Sequence, residues 1–595
     1  MSQRKPTKSA MWGRTFLTLC IFILGANLAF AGAHKMSKDL KGSQSSNQVD
    51  VIVQFTQTPT AFHHQKILDR GGRIKRQLGQ FRGGAYSMPA SALASLAADP
   101  DVVYISPDRQ VRGASTTASA WTLDYHNETI NAFAASAQGL DGTGGGIAVI
   151  DSGIANVADL NAGNIVYAQD FTGDAANGAA DQYGHGTHVA GILAGNGTMS
   201  TGKYAAYTFK GVAQNANLIN LRVLDQNGDG NESDVIAAIQ TAIQLQSTYN
   251  IRVINLSLGG PVWESYTLDP ICQAVEQAWR SGITVVVAAG NYGRDNNAGS
   301  NGYGTITSPG NDPYVITVGA MNTEGTPDRT DDVPASYSSK GPSIFDDVIK
   351  PDLVAPGNLI VSLYKPGETL VAENPGNVVS TSLYNIPGAA VHASPGYIIL
   401  SGTSMATPMV SGAAALMLEQ NPALTPDQVK ARLMKTAFKN LVQSSVATDP
   451  ITGQTFSEQA DIFTVGAGYL DIKAALANTD LAPPTAGSAL SPSAAVDSNG
   501  NIVLMTGSSI LGGNSVLWGS SVLWGSSVLW GSSTSGEAVL WGSSSLVSES
   551  VLWGSSATEA DSVLWGSSVL WGSSVLWGSS VPAVQAASAT ARGDR

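Results

Sequence analysis

The run GIAVID at residues 146–151 is apolar from Ile147 to Ile150 and stops on a carboxylate, Asp151. A strand with one wet face alternates apolar and polar residues, whereas an unbroken run reads as a strand buried on both faces. The pattern returns in NLINLRVLD (217–225), IRVINLSLGG (251–260), ITVVVAAGN (283–291) and PYVITVGA (313–320), with helical stretches between them. Such alternation predicts an α/β unit over 114–478, a parallel sheet with helices on both faces. Ligands in such sheets sit beyond the carboxyl ends of the strands. Asp151, Asn255 and Asn291 all fall at or close to such ends.

Outward from this block, the 595-residue chain has enough apolar sequence, 43%, to bury a sizeable core. Charged residues make up 13%, against roughly 25% in an ordinary globular protein. The net charge of −13 excludes a nucleic-acid binder that works through a basic face. Two cysteines, Cys20 and Cys272, exclude a disulfide framework and a zinc site of paired cysteines.

Arg4, Lys5, Lys8 and Arg14 precede the apolar run 15–31, which ends in small residues. This is the form of an export signal over 1–33, cleaved after Ala31 or Ala33. A membrane anchor is the competing reading, but the run is at the short limit for a span. The expected product is exported and soluble, secreted or held at the cell surface. Residues 34–47 are polar and read as a linker. Residues 48–113 then give the order β-α-β-α-β, with a middle strand that divides in two on one reading: VDVIVQF (49–55), a helix over 59–70, strand material over 73–88, a helix over 90–98 and VVYI (102–105).

Three blocks carry chemistry. VIDSG puts Asp151 just past a buried strand, GHGTHVAG (184–191) puts His185 at the start of a helical segment, and SGTSMATP (401–408) puts Ser404 before the apolar helical stretch 410–420. A serine at a helix N-terminus has backbone donors beside it and a dipole that favours developing negative charge. A histidine removes its proton, and a buried aspartate holds the histidine in the right tautomer. Singly, each block is more often a turn residue, a structural histidine or a helix cap. Together, in the order Asp–His–Ser, they form one of the known triad orders. An esterase of the α/β-hydrolase type is excluded, because it needs G-x-S-x-G and the order Ser–Asp–His.

These motifs resemble those of the subtilisin-like serine proteases over residues 48–478. AAGN (288–291) resembles the block that supplies the oxyanion-hole asparagine, SLGG (257–260) the edge that lines the first specificity pocket, and GAGYLDIKAAL (466–476) the closing segment. The resemblance implies Ser404 as nucleophile, His185 as general base and then acid, Asp151 as its orienter, and Asn291 as oxyanion donor with the Ser404 amide. It implies an apolar pocket lined by Ser257, Leu258, Gly259, Ala288, Ala289 and Gly290, and broad specificity for polypeptide substrates. His188 is structural on the same resemblance. Residues 48–113 resemble an inhibitory prodomain of ferredoxin-like fold, with the expected cut in Ala114–Ala120. The chemistry requires no cofactor. Structural calcium is an expectation without an identifiable site: residues 196–210 do not resemble the family's calcium loop, and the EF-hand-like start at Asp225 has Ile236 where the bidentate glutamate belongs.

Residues 479–509, rich in Pro, Ala and Ser, read as a linker. Over 510–580 the hexapeptide VLWGSS occurs eight times, and 581–595 form a C-terminal tail. An even period keeps every copy in the same alternation along an extended chain, so the repeats are expected to form β structure that self-associates or attaches to a cell surface. A disordered spacer is the competing reading. A structural protein whose peptidase unit only delivers the repeats is the rival function, and the intact Asp151, His185, Ser404 and Asn291 argue against it.

Overall fold

The computed structural model describes residues 35–40, 47–113, 125–160, 163–296, 299–386, 396–449, 452–496, 502–506, 509–510 and 594. The export signal, the expected cut at 114–120 and nearly all of the repeats lie outside the described residues. The chain divides into two compact units, one reaching to Arg109 and including Leu268–Pro270, the other formed by the rest.

The first unit contains β1 (Gln48–Phe55), α1 (Ala61–Leu68), β2 (Arg73–Leu78), β3 (Gly83–Pro89), α2 (Leu93–Ala97) and β4 (Val102–Pro107). The middle strand is two strands, and the antiparallel sheet has the order β2-β3-β1-β4. This is the split βαβ arrangement of ferredoxin-like folds. Val51, Val53 and Phe55 alternate along β1 and pack with Ile67, Met88, Leu96 and Ile105. The expected linker 34–47 needs correction. Leu40 is buried in this core, Met36 packs against it, and Met36 bridges Ile105. Two apolar side chains spaced to reach the core outweigh the polar composition around them.

The second unit begins with β5 (Gln110–Gly113), so the last four residues of the expected prodomain fold with the catalytic sequence. Its strands continue with β6 (Gly146–Asp151), β7 (Ile165–Asp170), β8 (Asn217–Arg222), β9 (Asp229–Asn231), β10 (Ile251–Leu256), β11 (Leu258–Gly259), β12 (Thr284–Ala288), β13 (Ile316–Asn322), β14 (Val333–Pro334) and β15 (Leu353–Pro356). The main sheet runs β14-β13-β12-β10-β6-β8-β7, with β15 also paired to β13. Only β14 is antiparallel. Every residue of β6, β12 and β13 is buried, which alternating side chains allow only when both faces are covered.

From β6 the chain builds β7 and β8 on one side, then crosses to build β10 and β12 on the other. The reversal between β6 and β10 is the switch point of an open α/β sheet, and the crevice beyond its carboxyl ends is the place for a site. Four helices matter to it: α3 (His185–Ala194), α4 (Glu232–Tyr249), α5 (Pro270–Arg280) and α6 (Thr403–Gln420). α6 is buried from Thr403 to Leu418. It is nearly all apolar or small, as a helix enclosed on all sides must be.

The expected linker 479–509 is the second correction. Ser493–Val496, Ile502–Thr506 and Ser509–Ile510 form a three-stranded antiparallel sheet, and Val348 bridges Ser493. Ala482, Ala489 and Ser491 are buried. Asp427 accepts from the Ala489 amide at 2.7 Å and the Lys430 ammonium donates to Ser491 Oγ at 2.8 Å. Small side chains let this backbone approach closely enough to satisfy buried charged groups, so the unit extends past residue 478.

Candidate active site

β6 delivers Asp151 to the crevice, and α3 delivers His185 from its first position. Both are fully buried, and His185 Nδ1 donates to Asp151 Oδ1 at 2.7 Å. That bond fixes the imidazole tautomer with Nε2 turned to accept a proton. Gly186 is required between them, because a Cβ there would meet the Gly153 carbonyl oxygen at 2.1 Å. Asp151 Oδ1 also accepts from the Ser152 amide at 2.7 Å.

Behind this pair lies an acid that sequence reasoning missed. Asp181 accepts from Ser152 Oγ, the amides of Tyr183, Gly184 and Thr187, and Thr187 Oγ1, at 2.6–3.0 Å. Ser152 Oγ accepts in turn from the Gly186 amide at 2.9 Å. Asp181 thus ties the loop before His185 to the turn after Asp151. Beside it, Glu368 lies 3.3 Å from Thr187 Oγ1 and accepts from the Lys365 amide at 2.9 Å. Burial, with the Asp181 charge next to it, pushes the Glu368 carboxyl up to about 8. No periodicity marks Asp181, which sits in a loop (AADQYG, 179–184).

Ser404 is the second residue of α6 and fully buried, so its amide is among the N-terminal donors that no helical carbonyl satisfies. The helix begins seven residues earlier than the apolar stretch at 410 suggests, running through Pro408. Ser404 Oγ donates to the Ser257 carbonyl at 2.9 Å. Asn291 follows β12. Its Oδ1 accepts from the Thr403 amide at 2.9 Å and from Thr403 Oγ1 at 3.0 Å. Its Nδ2 has no hydrogen-bond partner among the described residues, although the residue is only 2 % exposed. A buried donor left open is costly unless something arrives to accept from it.

Ser257, Leu258 and Gly259 form an edge. β11 pairs antiparallel with β5, Leu258 opposite Gly113 and Gly259 opposite Arg112, and β5 pairs on its other side with β9. This edge is therefore paired, over two residues, with an extended strand of the chain itself. Ala288, Ala289 and Gly290 are used differently. The Ala289 amide donates to Val318, its carbonyl accepts from Thr307, and the Gly290 amide donates to Thr403 Oγ1. Their backbone serves the fold rather than a second open edge.

His188 is buried, with Nε2 3.2 Å from the carbonyls of both Ile360 and Ile398, a structural post. Among the described residues, no group of three or more His, Cys, Asp or Glu side chains is placed to hold a metal ion. The EF-hand-like turn closes on itself, Asp225 Oδ1 accepting from the amides of Asn227 and Asp229, and leads into β9.

Residues 142–468, which span Asp151, His185, Asn291 and Ser404, match the family model described as the subtilase family. The chain belongs to the subtilase family. Among its relatives is serine protease AprX of Bacillus subtilis, 34% identical over 401 residues that cover 66% of this chain and 83% of that protein. Subtilisin E of Bacillus subtilis is 32% identical over 421 residues, 70% of this chain and 92% of that one. The extracellular serine proteinase of Thermus sp. Rt41A is 34% identical over 392 residues, 64% and 77% of the two chains. In fold the subtilase resembles the crystal structure of fervidolysin from Fervidobacterium pennivorans, with TM-score 0.54 and 21% identity, covering 75% of this chain. It spans 63% of that structure's length, under two thirds. This subtilase is a serine endopeptidase.

Proposed function

We propose that the chain is a secreted endopeptidase, exported by its N-terminal segment and made as a self-processing precursor that residues 48–113 inhibit. Asp151, His185 and Ser404 act as the triad. A polypeptide substrate adds as a strand to Ser257–Gly259, with its side chain in an apolar pocket, and specificity is broad. The Ser404 hydroxyl turns its proton from the Ser257 carbonyl to His185 Nε2 while Oγ attacks the scissile carbonyl carbon. Asp151 holds the imidazolium that forms. The negative charge on the former carbonyl oxygen is met by Asn291 Nδ2 and the Ser404 amide. Collapse breaks the C–N bond, His185 returns the proton to the leaving amine, and water then cleaves the acyl-enzyme by the same route. None of these steps calls for a cofactor.

What carries the precursor reading is the pairing of Arg112 and Gly113 with Gly259 and Leu258. Chain just upstream of the proposed cut at 114–120 occupies the edge a substrate strand would use, as a product-like inhibitor does. The repeats at 510–580 are proposed to self-associate or to attach the enzyme at a cell surface.

The test is Ser404→Ala in the full chain, expressed alone. Proteolysis of casein is abolished and the precursor stays uncut at 114–120. Normal processing of that variant would assign the cut to another protease or another serine.

A further inference from the structure

Asp594, the penultimate residue, is 2 % exposed and folds with the catalytic unit. Its Oδ1 accepts from Arg294 Nη2 at 2.7 Å and from Ser336 Oγ at 2.5 Å. Its Oδ2 accepts from the Ser336 amide at 2.6 Å. Asn358 completes the cradle by reading the backbone: the Asp594 amide donates to Asn358 Oδ1 at 2.9 Å, and Asn358 Nδ2 donates to the Asp594 carbonyl at 3.1 Å.

The receptor side is fixed in place. Arg294 Nε donates to Ser336 Oγ at 2.8 Å and Nη1 to Asp449 at 3.3 Å, while the guanidinium lies over the rings of Tyr337 and Phe456. Ser336 Oγ therefore relays between the guanidinium and the carboxylate. A simple anion site needs only the first two groups. The paired contacts of Asn358 with an amide and a carbonyl specify an aspartyl residue within a peptide. The pocket also borders the catalytic segments: Arg294 is three residues past Asn291, and Gly357 accepts from the Gly402 amide at 2.8 Å.

We propose that Arg294, Ser336 and Asn358 form a docking site for the chain's own C-terminal aspartate, so that residues 511–593 are tethered to the catalytic unit at both ends. The other end is the strand pair Ile502–Thr506 and Ser509–Ile510. Closing a long loop costs little more than closing a short one, because the entropy grows only with the logarithm of length. A handful of charge-assisted hydrogen bonds suffices at the high effective concentration that a tether imposes. A cut anywhere in 511–593 makes the contact bimolecular, and the pocket then empties on dilution. The pocket thus distinguishes an intact tail from a trimmed one.

The experiment uses the full chain carrying Ser404→Ala, which cannot cut itself, and follows hydrogen exchange at the Ser336 amide. Asp594→Ala and Asp594→Asn speed that exchange by about tenfold or more, as expected when a buried amide loses a charged acceptor. Asp561→Ala, which removes an acid within the repeats, leaves it unchanged. Chymotrypsin, whose preference for aromatic residues directs it to the Trp residues of the repeats, reproduces the Asp594→Ala rate after dilution. Exchange at Ser336 that ignores Asp594, or that responds equally to Asp561, overturns the docking site. Protection that survives the cut and dilution overturns the double tether.

Discussion

Ser257 and Ser404 hold each other by two reciprocal hydrogen bonds: the Ser257 hydroxyl donates to the Ser404 carbonyl and the Ser404 hydroxyl donates to the Ser257 carbonyl, each at 2.9 Å. The first bond answers a defect in α6. Pro408 has no N–H, so the Ser404 carbonyl lacks the donor four residues on that a helix ordinarily supplies. Ser257 fills that place. It is itself aimed by Asn255 Nδ2 at 3.0 Å, and Asn255 Oδ1 accepts from Ser411 Oγ at 2.8 Å. The edge proposed to bind substrate and the helix proposed to carry the nucleophile are thereby one piece.

Ser257→Ala leaves a buried carbonyl without a donor. The expected loss is about 1–3 kcal/mol in unfolding free energy, with kcat down about tenfold or more through misplacement of Ser404. Pro408→Ala restores an N–H, so the double variant recovers most of the stability. Urea titration in the Ser404→Ala background measures the first part. A double variant no more stable than Ser257→Ala alone sinks the Pro408 account.

Asn291→Ala lowers kcat by about 10²–10³-fold with KM little changed, because Nδ2 acts on charge present only in the transition state. That range comes from an oxyanion donor in a subtilisin, a relative of this chain. Steady-state kinetics on a peptide substrate decide it. A loss confined to KM would assign Asn291 to ground-state binding instead.

Gly259→Ala puts a Cβ 2.8 Å from both the Ser308 carbonyl oxygen and Thr307 Oγ1. The edge must shift, and overpacking of this kind costs about 1–3 kcal/mol. KM for peptide substrates rises about tenfold, and β5 is held more weakly by the same displacement. Unchanged KM would show that substrate does not use this edge.

The parallel sheet and four of the site positions were legible in the sequence for a physical reason. Asp151 and Asn291 follow strands whose apolar runs are unbroken, so local pattern gives their context, whereas His185 and Ser404 open helices that the motifs GHGTHVAG and SGTSMATP mark and apolar pattern alone does not. What surrounds them was not legible. Asp181 acts through donors from residues 152 to 187, and Asn255, Ser257, Ser411 and Pro408 meet only in the folded core. Residues 479–509 misled because Pro, Ala and Ser are common both to linkers and to backbone packed closely on buried groups. Ala489 and Ser491, against Asp427 and Lys430, are the second kind.

The Glu368–Asp181 pair gives the subtilase a pH dependence of definite sign. Burial first, and the neighbouring Asp181 second, raise the Glu368 carboxyl from an ordinary 4.5 to about 8. Folded Glu368 therefore keeps a proton that the unfolded chain releases above 4.5. Its contribution to stability is full below that value and is lost as pH rises toward about 8. The Lys365 amide donates to the same carboxyl whether or not it is protonated, and Thr187 Oγ1, whose one proton goes to Asp181 at 2.6 Å, lies 3.3 Å from it. Glu368→Gln removes the titration while keeping the shape, so the fall in stability with rising pH becomes shallower by up to about one proton. Raised acids away from this pair, Asp332 and Glu458 among them, contribute equally to both proteins and cancel in the difference. Urea midpoints of the Ser404→Ala chain, with and without Glu368→Gln, are compared from about pH 5 to about pH 9, spanning the window in which the carboxyl ionises. Parallel curves would mean that Glu368 is already ionised in the folded protein and that a nearby cation, not a proton, balances the pair.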